Sequence, residues 1–322
     1  MNITTKGEVS SPNVQSNSIT PDTNKKLVTK RLVLYIGITF VLTYLLDFLL
    51  VYPMVKSNSA GTQSIGQLLI SITMFIPAVG VLLTRLLTKE GFKNSYIVPK
   101  NGIRSIPYFL FGCFGPALLT IFGAAVYFLV FPDKFDSGMG YLAIVMAASG
   151  VEPTPALLWV SAISQLISGV LLSPILNGIF CFGEEWGWRG YMLPKMQEKM
   201  RILPTLFISG IIWGLWHAPL TAIGHNYGTG YAGYPFTGIL AMCIFCITMG
   251  IIFSYITIKT GSCLPAVLAH GSLNGFASAG LLFTDGSAVN PFIGPIPTGI
   301  IGGCAFLICA IVMAVLLVRK AK

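Results

Sequence analysis

Eight apolar stretches of near membrane-spanning length constrain the fold of this chain more than any other feature. They lie at about 32–54, 67–88, 107–131, 157–197, 203–220, 235–258, 262–282 and 296–318. An apolar helix needs about 20 residues to cross the hydrocarbon core of a bilayer. Only 10% of the residues are charged, whereas soluble domains carry about 25%. The sequence therefore predicts an all-α fold, a polytopic membrane helix bundle with about eight transmembrane helices.

The fourth stretch is too long for one straight crossing. Pro174 and Gly178 are the candidate positions for a break, because proline and glycine interrupt helices. A weaker apolar piece at 139–150 is predicted to lie at the membrane interface.

The ends of the chain and its charges predict how it sits in the membrane. Residues 1–30 are polar and predict a disordered tail, followed by one transmembrane domain over 31–322. With the N-terminus in the cytoplasm, 17 of the 20 Lys and Arg residues fall on the cytoplasmic side. Lys56 and Lys134 fall outside, and Arg189 lies within the fourth stretch. This asymmetry predicts that both termini are cytoplasmic, and it argues against nucleic acid as a partner.

Two adjacent glutamates interrupt the apolar fourth stretch. Glu185 and Arg189 are four residues apart, so they share a helix face and can pair. Glu184 is rotated by about 100° from its neighbour and has no partner in the local sequence. Ionisable groups at membrane depth persist where they pair or react. We therefore expect a supporting ion pair at Glu185 and Arg189, and a free carboxylate at Glu184.

Two histidines lie in later apolar stretches. His217 is about 20 Å from the cytoplasmic end of its span, a depth similar to that of Glu184. His270 and Asn274 share a face of the seventh stretch and could donate hydrogen bonds to an oxyanion. Gly271 and Gly275 would let a neighbouring helix approach closely. His225, in a glycine-rich outer loop, is interpreted as an ordinary solvent-exposed histidine.

The three polar patterns occur in a fixed order on separate spans. They are Glu-Glu-x-x-x-Arg at 184–189, an aromatic-x-x-x-His at 213–217 and His-x-x-x-Asn at 270–274. Over residues 155–282 the chain resembles the CAAX-protease and bacteriocin-processing family of intramembrane metalloproteases, also called Abi. One departure is Trp213, where that family often has phenylalanine. Both are large aromatic residues, so we expect the chemistry to be unchanged.

The resemblance implies a membrane endopeptidase whose site lies inside the bilayer. Carried over by position, Glu184 and His217 would activate a water, and His270 and Asn274 would bind the oxyanion or complete the site. Glu185 and Arg189 would support the site. Two mechanisms fit. Either Glu184 is the general base, or His217 and His270 with Glu184 bind a divalent metal such as zinc.

The predicted function is hydrolysis of a peptide bond in a membrane-associated peptide or protein, of prenylated CAAX type or bacteriocin type. A non-catalytic peptide-binding or bacteriocin-immunity protein in the lipid bilayer is the alternative, and a transporter using the buried carboxylates is a third hypothesis. The depths of the site residues favour the cytoplasmic half of the membrane.

Overall fold

The computed structural model describes the backbone of residues 21–320 and the side chains of residues 25–319. Within these residues the chain is helical, with an isolated bridge between Phe135 and Thr284 as its β-structure. The helices are α1 (Pro21–Leu46), α2 (Tyr52–Val55), α3 (Ala60–Thr73), α4 (Ile76–Leu87), α5 (Ile106–Val130), α6 (Gly140–Ala148), α7 (Pro155–Leu171), α8 (Ser173–Gly187), α9 (Leu193–Gln197), α10 (Ile202–Trp216), α11 (Ala218–Ala222), α12 (Phe236–Thr260), α13 (Leu264–Phe276) and α14 (Cys304–Lys320). Two π-helical segments, Asp47–Val51 and Trp188–Met192, continue α1 and α8, and 3₁₀ turns occupy Gly102–Ser105, Pro132–Lys134 and Ala279–Phe283.

The chain is an integral membrane protein, and the predicted all-α bundle is confirmed. Four helical stretches are long and apolar enough to cross a bilayer: Lys25–Val55, Gly102–Val130, Phe236–Thr260 and Leu264–Phe283. Counting each bent pair as one span, α3 with α4 and α7 with α8, raises this number to six. The shorter apolar helices α10 and α14 coincide with the remaining two predicted stretches.

The long fourth stretch is broken near one of the two predicted positions. Helices α7 and α8 meet at Leu172 and are bent by 54°. Pro174 lies in the first turn of α8, where its missing N–H costs nothing. Gly178 is inside α8 and does not break it. The predicted interfacial piece at 139–150 contains the short helix α6.

The prediction of a disordered tail over 1–30 is wrong for its last ten residues, which form the beginning of α1. Residues 1–20 lie outside the described residues. Within the helical part, Val28 is buried in the main apolar core, and Lys199 Nζ donates to the carbonyl oxygen of Lys25 at 3.1 Å. The polar composition of this segment concealed its buried face.

Close helix packing places the polar residues of the fourth and seventh stretches side by side. Helix α13 packs against α8 and α5, and α10 packs against α12. A Cβ atom at Gly271 would lie 2.7 Å from the carbonyl oxygen of Pro174 and 2.8 Å from the backbone nitrogen of Gly178. Only glycine permits this approach of α13 to α8.

Candidate active site

The four residues predicted to be catalytic line one cavity. Its volume is about 330 Å³, and its walls include Glu184, His217, His270 and Asn274. Glu184 comes from α8, His217 from the junction of α10 and α11, and the other two residues from α13. The tertiary structure therefore brings together on one surface three patterns that are far apart in the sequence.

Glu184 is held in place by the indole of Trp213. Trp213 Nε1 donates to Glu184 Oε2 at 2.7 Å, and both side chains are buried. Among the described residues, no side-chain hydrogen bond to the other oxygen, Oε1, is found. One oxygen of this carboxylate is therefore anchored by the protein, and the second is left for a ligand in the cavity.

Glu185 is committed to two protein partners. Its Oε1 accepts from Arg189 Nη1 at 3.0 Å and from His270 Nδ1 at 2.9 Å, and the glutamate side chain is completely buried. The Arg189 guanidinium also lies 4.1 Å from the ring centroid of Trp213. The predicted pair of Glu185 and Arg189 is confirmed. Its extension to His270 was not predicted.

Hydrogen bonds determine which nitrogen of each imidazole faces the cavity. Nδ1 of His217 donates to the backbone oxygen of Trp213 at 2.9 Å, and Nδ1 of His270 donates to Glu185. Carbonyl and carboxylate oxygens only accept, so each Nδ1 must carry a proton. Nε2 of each ring is then available for chemistry. The centroid of the Trp213 indole lies 5.7 Å from that of the His217 ring and 5.5 Å from that of His270.

The carboxamide of Asn274 has few competing partners. Its side chain is exposed on the cavity wall, and its Nδ2 contacts Cys181 Sγ at 3.7 Å. A thiol sulfur is a weak acceptor. The amide protons of Asn274 are therefore available to a carbonyl or oxyanion in the cavity.

A π-helical segment, Trp188–Met192, begins three residues after Glu185. The backbone N–H of Trp188 lies against the carbonyl oxygens of both Glu184 and Glu185. Single π-turns of this kind are uncommon and occur frequently at functional sites. Here the segment carries Arg189 into the same buried layer as Glu185.

Sequence reasoning did not anticipate what Trp213, His225 and Asn226 contribute to the cavity wall. Trp213 was interpreted as a large aromatic equivalent to phenylalanine, yet its N–H group anchors Glu184, which phenylalanine could not do. His225 is exposed as predicted, but with Asn226 it also lines the cavity. The direction in which the Trp213 indole points, and that of the polar pair in the loop, cannot be predicted from the sequence.

The mechanism with a bound metal needs a preformed set of ligands, and the described side chains do not provide one. Among residues 25–319, no group of three or more His, Cys, Asp or Glu side chains is arranged to hold a metal ion. His217 and His270 do show the outward Nε2 geometry that metal ligands use. Without a third ligand in place, the zinc site at His217 and His270 stays a prediction.

Comparison with known proteins matches the segment that carries the site. Residues 158–276, which contain all three patterns, match a family model described as type II CAAX prenyl endopeptidase Rce1-like. A curated relative named CAAX prenyl protease 2, from Methanococcus maripaludis, is 29% identical over 92 residues, or 28% of this chain. The match spans about a third (34%) of the relative's length.

Neither description names bacteriocin processing or a metal, so both stay predictions. The resemblance to CAAX endopeptidases is confirmed for residues 158–276, which carry the predicted site residues. The segment carrying the candidate site of this membrane protein is therefore similar to the type II CAAX prenyl endopeptidases.

Proposed function

We propose that this protein is an intramembrane endopeptidase that hydrolyses a peptide bond of a membrane-associated substrate. The observation that carries the proposal is the single cavity lined by Glu184, His217, His270 and Asn274, in which Glu184 has one unanchored oxygen. The similarity to CAAX prenyl endopeptidases supports the same reaction class.

Peptide hydrolysis needs an activated water, a base and stabilisation of the developing oxyanion. In our mechanism Glu184 Oε1 takes a proton from a water molecule that His217 Nε2 orients. The water oxygen forms a bond to the scissile carbonyl carbon, and the carbonyl oxygen gains the negative charge. When the C–N bond breaks, Glu184 returns the proton to the leaving amine. The proton that Glu184 takes from water thus ends on the leaving amine, and Glu184 returns to its starting state.

The oxyanion would be bound by Asn274 Nδ2 and by His270. His270 can donate from Nε2 only as the doubly protonated imidazolium, because its Nδ1 proton is committed to Glu185. The negative charge of Glu185 favours that imidazolium, and Arg189 holds the carboxylate in position. Glu185 and Arg189 thus act through His270 and are positioning residues.

Purified protein in detergent tests the proposal. We expect it to cleave a prenylated CAAX-type peptide or an unprenylated membrane-anchored peptide, and we expect Glu184→Gln and His217→Ala to abolish cleavage while the protein stays folded. Glu198→Gln is the matched control, because Glu198 is exposed and lies outside the cavity. Full activity of Glu184→Gln would refute the mechanism. Stoichiometric peptide binding with no turnover would favour the immunity-protein alternative.

A further inference from the structure

The catalytic cavity extends towards one end of the helix bundle. At that end its wall includes His225 and Asn226 from the loop 223–235, and Pro297 and Thr298 from the loop 284–303. We call these two segments the mouth loops. His225 and Asn226 are exposed to solvent, and Thr298 is partly exposed. The mouth loops therefore frame an opening.

The opposite end of the cavity is closed by large buried side chains. On the side of Glu184 that faces away from the mouth loops lie Trp188, Arg189 and Tyr191, each no more than 3% exposed. Arg189 stacks on Trp213 and Phe253, and Tyr35 packs on Trp188 and Tyr191. A separate polar cavity at that end, lined by Arg85, Glu90 and Lys100 among others, shares no wall residue with the catalytic cavity.

Basic residues lie at the closed end. Lys195, Lys199 and Arg201 follow α8, and Lys259 ends α12. The end with the mouth loops has two described basic residues, Lys56 and Lys134, and the acidic residues Asp133, Asp136, Glu152 and Asp285. Segments next to membrane spans that are rich in Lys and Arg stay in the cytoplasm. The charge distribution therefore favours a cytoplasmic location for the closed end.

The depths of the site residues span the middle of the bilayer. His217 follows the last residue of α10, which begins at Ile202 next to Arg201. At 1.5 Å per residue, His217 is about 20 Å from the basic end of a hydrocarbon core about 30 Å thick. The His217 imidazole is thus nearer to the mouth loops, whereas His270, six residues into α13, is about 9 Å from the basic end. Depth therefore does not select a side, and the charge distribution carries the orientation.

We infer that substrate reaches this site from the extracytoplasmic side of the membrane. If the proposed endopeptidase activity holds, the substrate is a membrane-associated peptide whose scissile bond is presented at the outer surface. A tail anchored to the cytoplasmic leaflet would meet the closed end. The sequence alone left the side of substrate entry open, although the depths of the site residues favoured the cytoplasmic half, and our inference departs from that preference.

Cysteine labelling in intact cells tests the orientation without requiring activity. Thr229→Cys places a thiol on an exposed position of one mouth loop, and Glu198→Cys places one at the basic end. The unmodified chain measures the background from its seven native cysteines. A membrane-impermeant maleimide should label Thr229→Cys in intact cells and Glu198→Cys only after permeabilisation. The reverse pattern would overturn the inference.

Sealed vesicles test access of the substrate. A peptide with a charged, membrane-impermeant tag should be cleaved by right-side-out vesicles, and cleavage should be lost in inside-out vesicles until detergent is added. Cleavage by inside-out vesicles alone would refute extracytoplasmic access while leaving the endopeptidase proposal intact. Absence of Glu184-dependent cleavage in detergent would instead refute the proposed function, and the labelling pattern would still decide the orientation.

Discussion

The indole Nε1 of Trp213 donates a 2.7 Å hydrogen bond to Oε2 of Glu184, so an aromatic residue of one helix fixes the acid of another. This bond leaves the second carboxylate oxygen facing a cavity that also contains two imidazoles and a carboxamide. Orientation of Glu184 therefore depends on a side chain that takes no direct part in the proposed reaction.

Trp213→Phe removes this hydrogen bond and retains an aromatic ring. A hydrogen bond to a charged group contributes about 1.5–3 kcal/mol, so we expect kcat to fall by about tenfold or more. The substrate concentration for half-maximal rate should change little, because Trp213 does not donate to the substrate. Trp216→Phe is the matched control, since the Trp216 indole donates to Thr43 Oγ1 instead of Glu184. Equal losses in both variants would argue against a specific role for Trp213.

Glu185→Gln removes a buried negative charge that faces both Arg189 and His270. Breaking a buried ion pair and leaving its partner uncompensated costs about 3–5 kcal/mol. We therefore expect Glu185→Gln to unfold at a clearly lower temperature than Glu184→Gln, whose carboxylate has a neutral indole as its donor. Thermal unfolding in detergent, followed by intrinsic fluorescence, measures the difference. Equal transition temperatures would contradict the division of roles between the two glutamates.

Metal dependence separates the two chemical schemes. In the proposed mechanism Glu184 takes the proton from water and no step uses a metal, so we expect hydrolysis to persist after treatment with a chelator. We also expect purified active protein to contain far less than one metal ion per chain by mass spectrometry. Loss of activity with EDTA and its recovery with zinc, but not with magnesium, would favour the metal scheme at His217 and His270.

Glu90, between α4 and α5, should make stability depend on pH. Burial raises its pKa, but hydrogen bonds from Lys195 at 2.5 Å and Tyr191 at 2.8 Å outweigh it, so the pKa lies below the ordinary value of 4.5. A carboxyl group whose pKa is lowered by folding stabilises the fold at pH values above its ordinary pKa. That stabilisation is lost as the pH falls through the lowered pKa. The difference in unfolding temperature between the unmodified chain and Glu90→Gln should therefore be largest near neutral pH and shrink below pH 4.5. A difference that grows on acidification would contradict this assignment.

Gly271→Ala tests the close approach of α13 to α8. The added Cβ atom would meet two backbone atoms of α8 at 2.7 and 2.8 Å, and overpacking of this kind costs about 1–3 kcal/mol. We expect a lower unfolding temperature and reduced hydrolysis, because displacement of α13 moves His270. Gly37→Ala is the control, since nothing lies within 4 Å of a Cβ atom there. If both variants behave alike, the contact does not constrain the site.

Much of the fold and some of the site could be predicted from local sequence. Apolar stretches of spanning length coincide with helices or bent helix pairs, and Pro174 marks the bend of the fourth stretch closely. The pair of Glu185 and Arg189 follows from the geometry of a single helix turn. The start of α1 was mistaken for tail, because its buried residue Val28 lies among polar neighbours.

Hydropathy and spacing along one helix are properties of the sequence itself. The sequence alone therefore determined a membrane helix bundle and the pairing of Glu185 in α8 with Arg189 in the π-helical segment that continues it. Only the tertiary structure decided that His270 shares Glu185 with Arg189, that Trp213 anchors Glu184, and that the cavity opens beside His225. The physical reason is that a hydrogen bond between helices depends on where they cross and on which way each side chain points. That crossing is set by close contacts such as the one at Gly271, which sequence spacing does not encode.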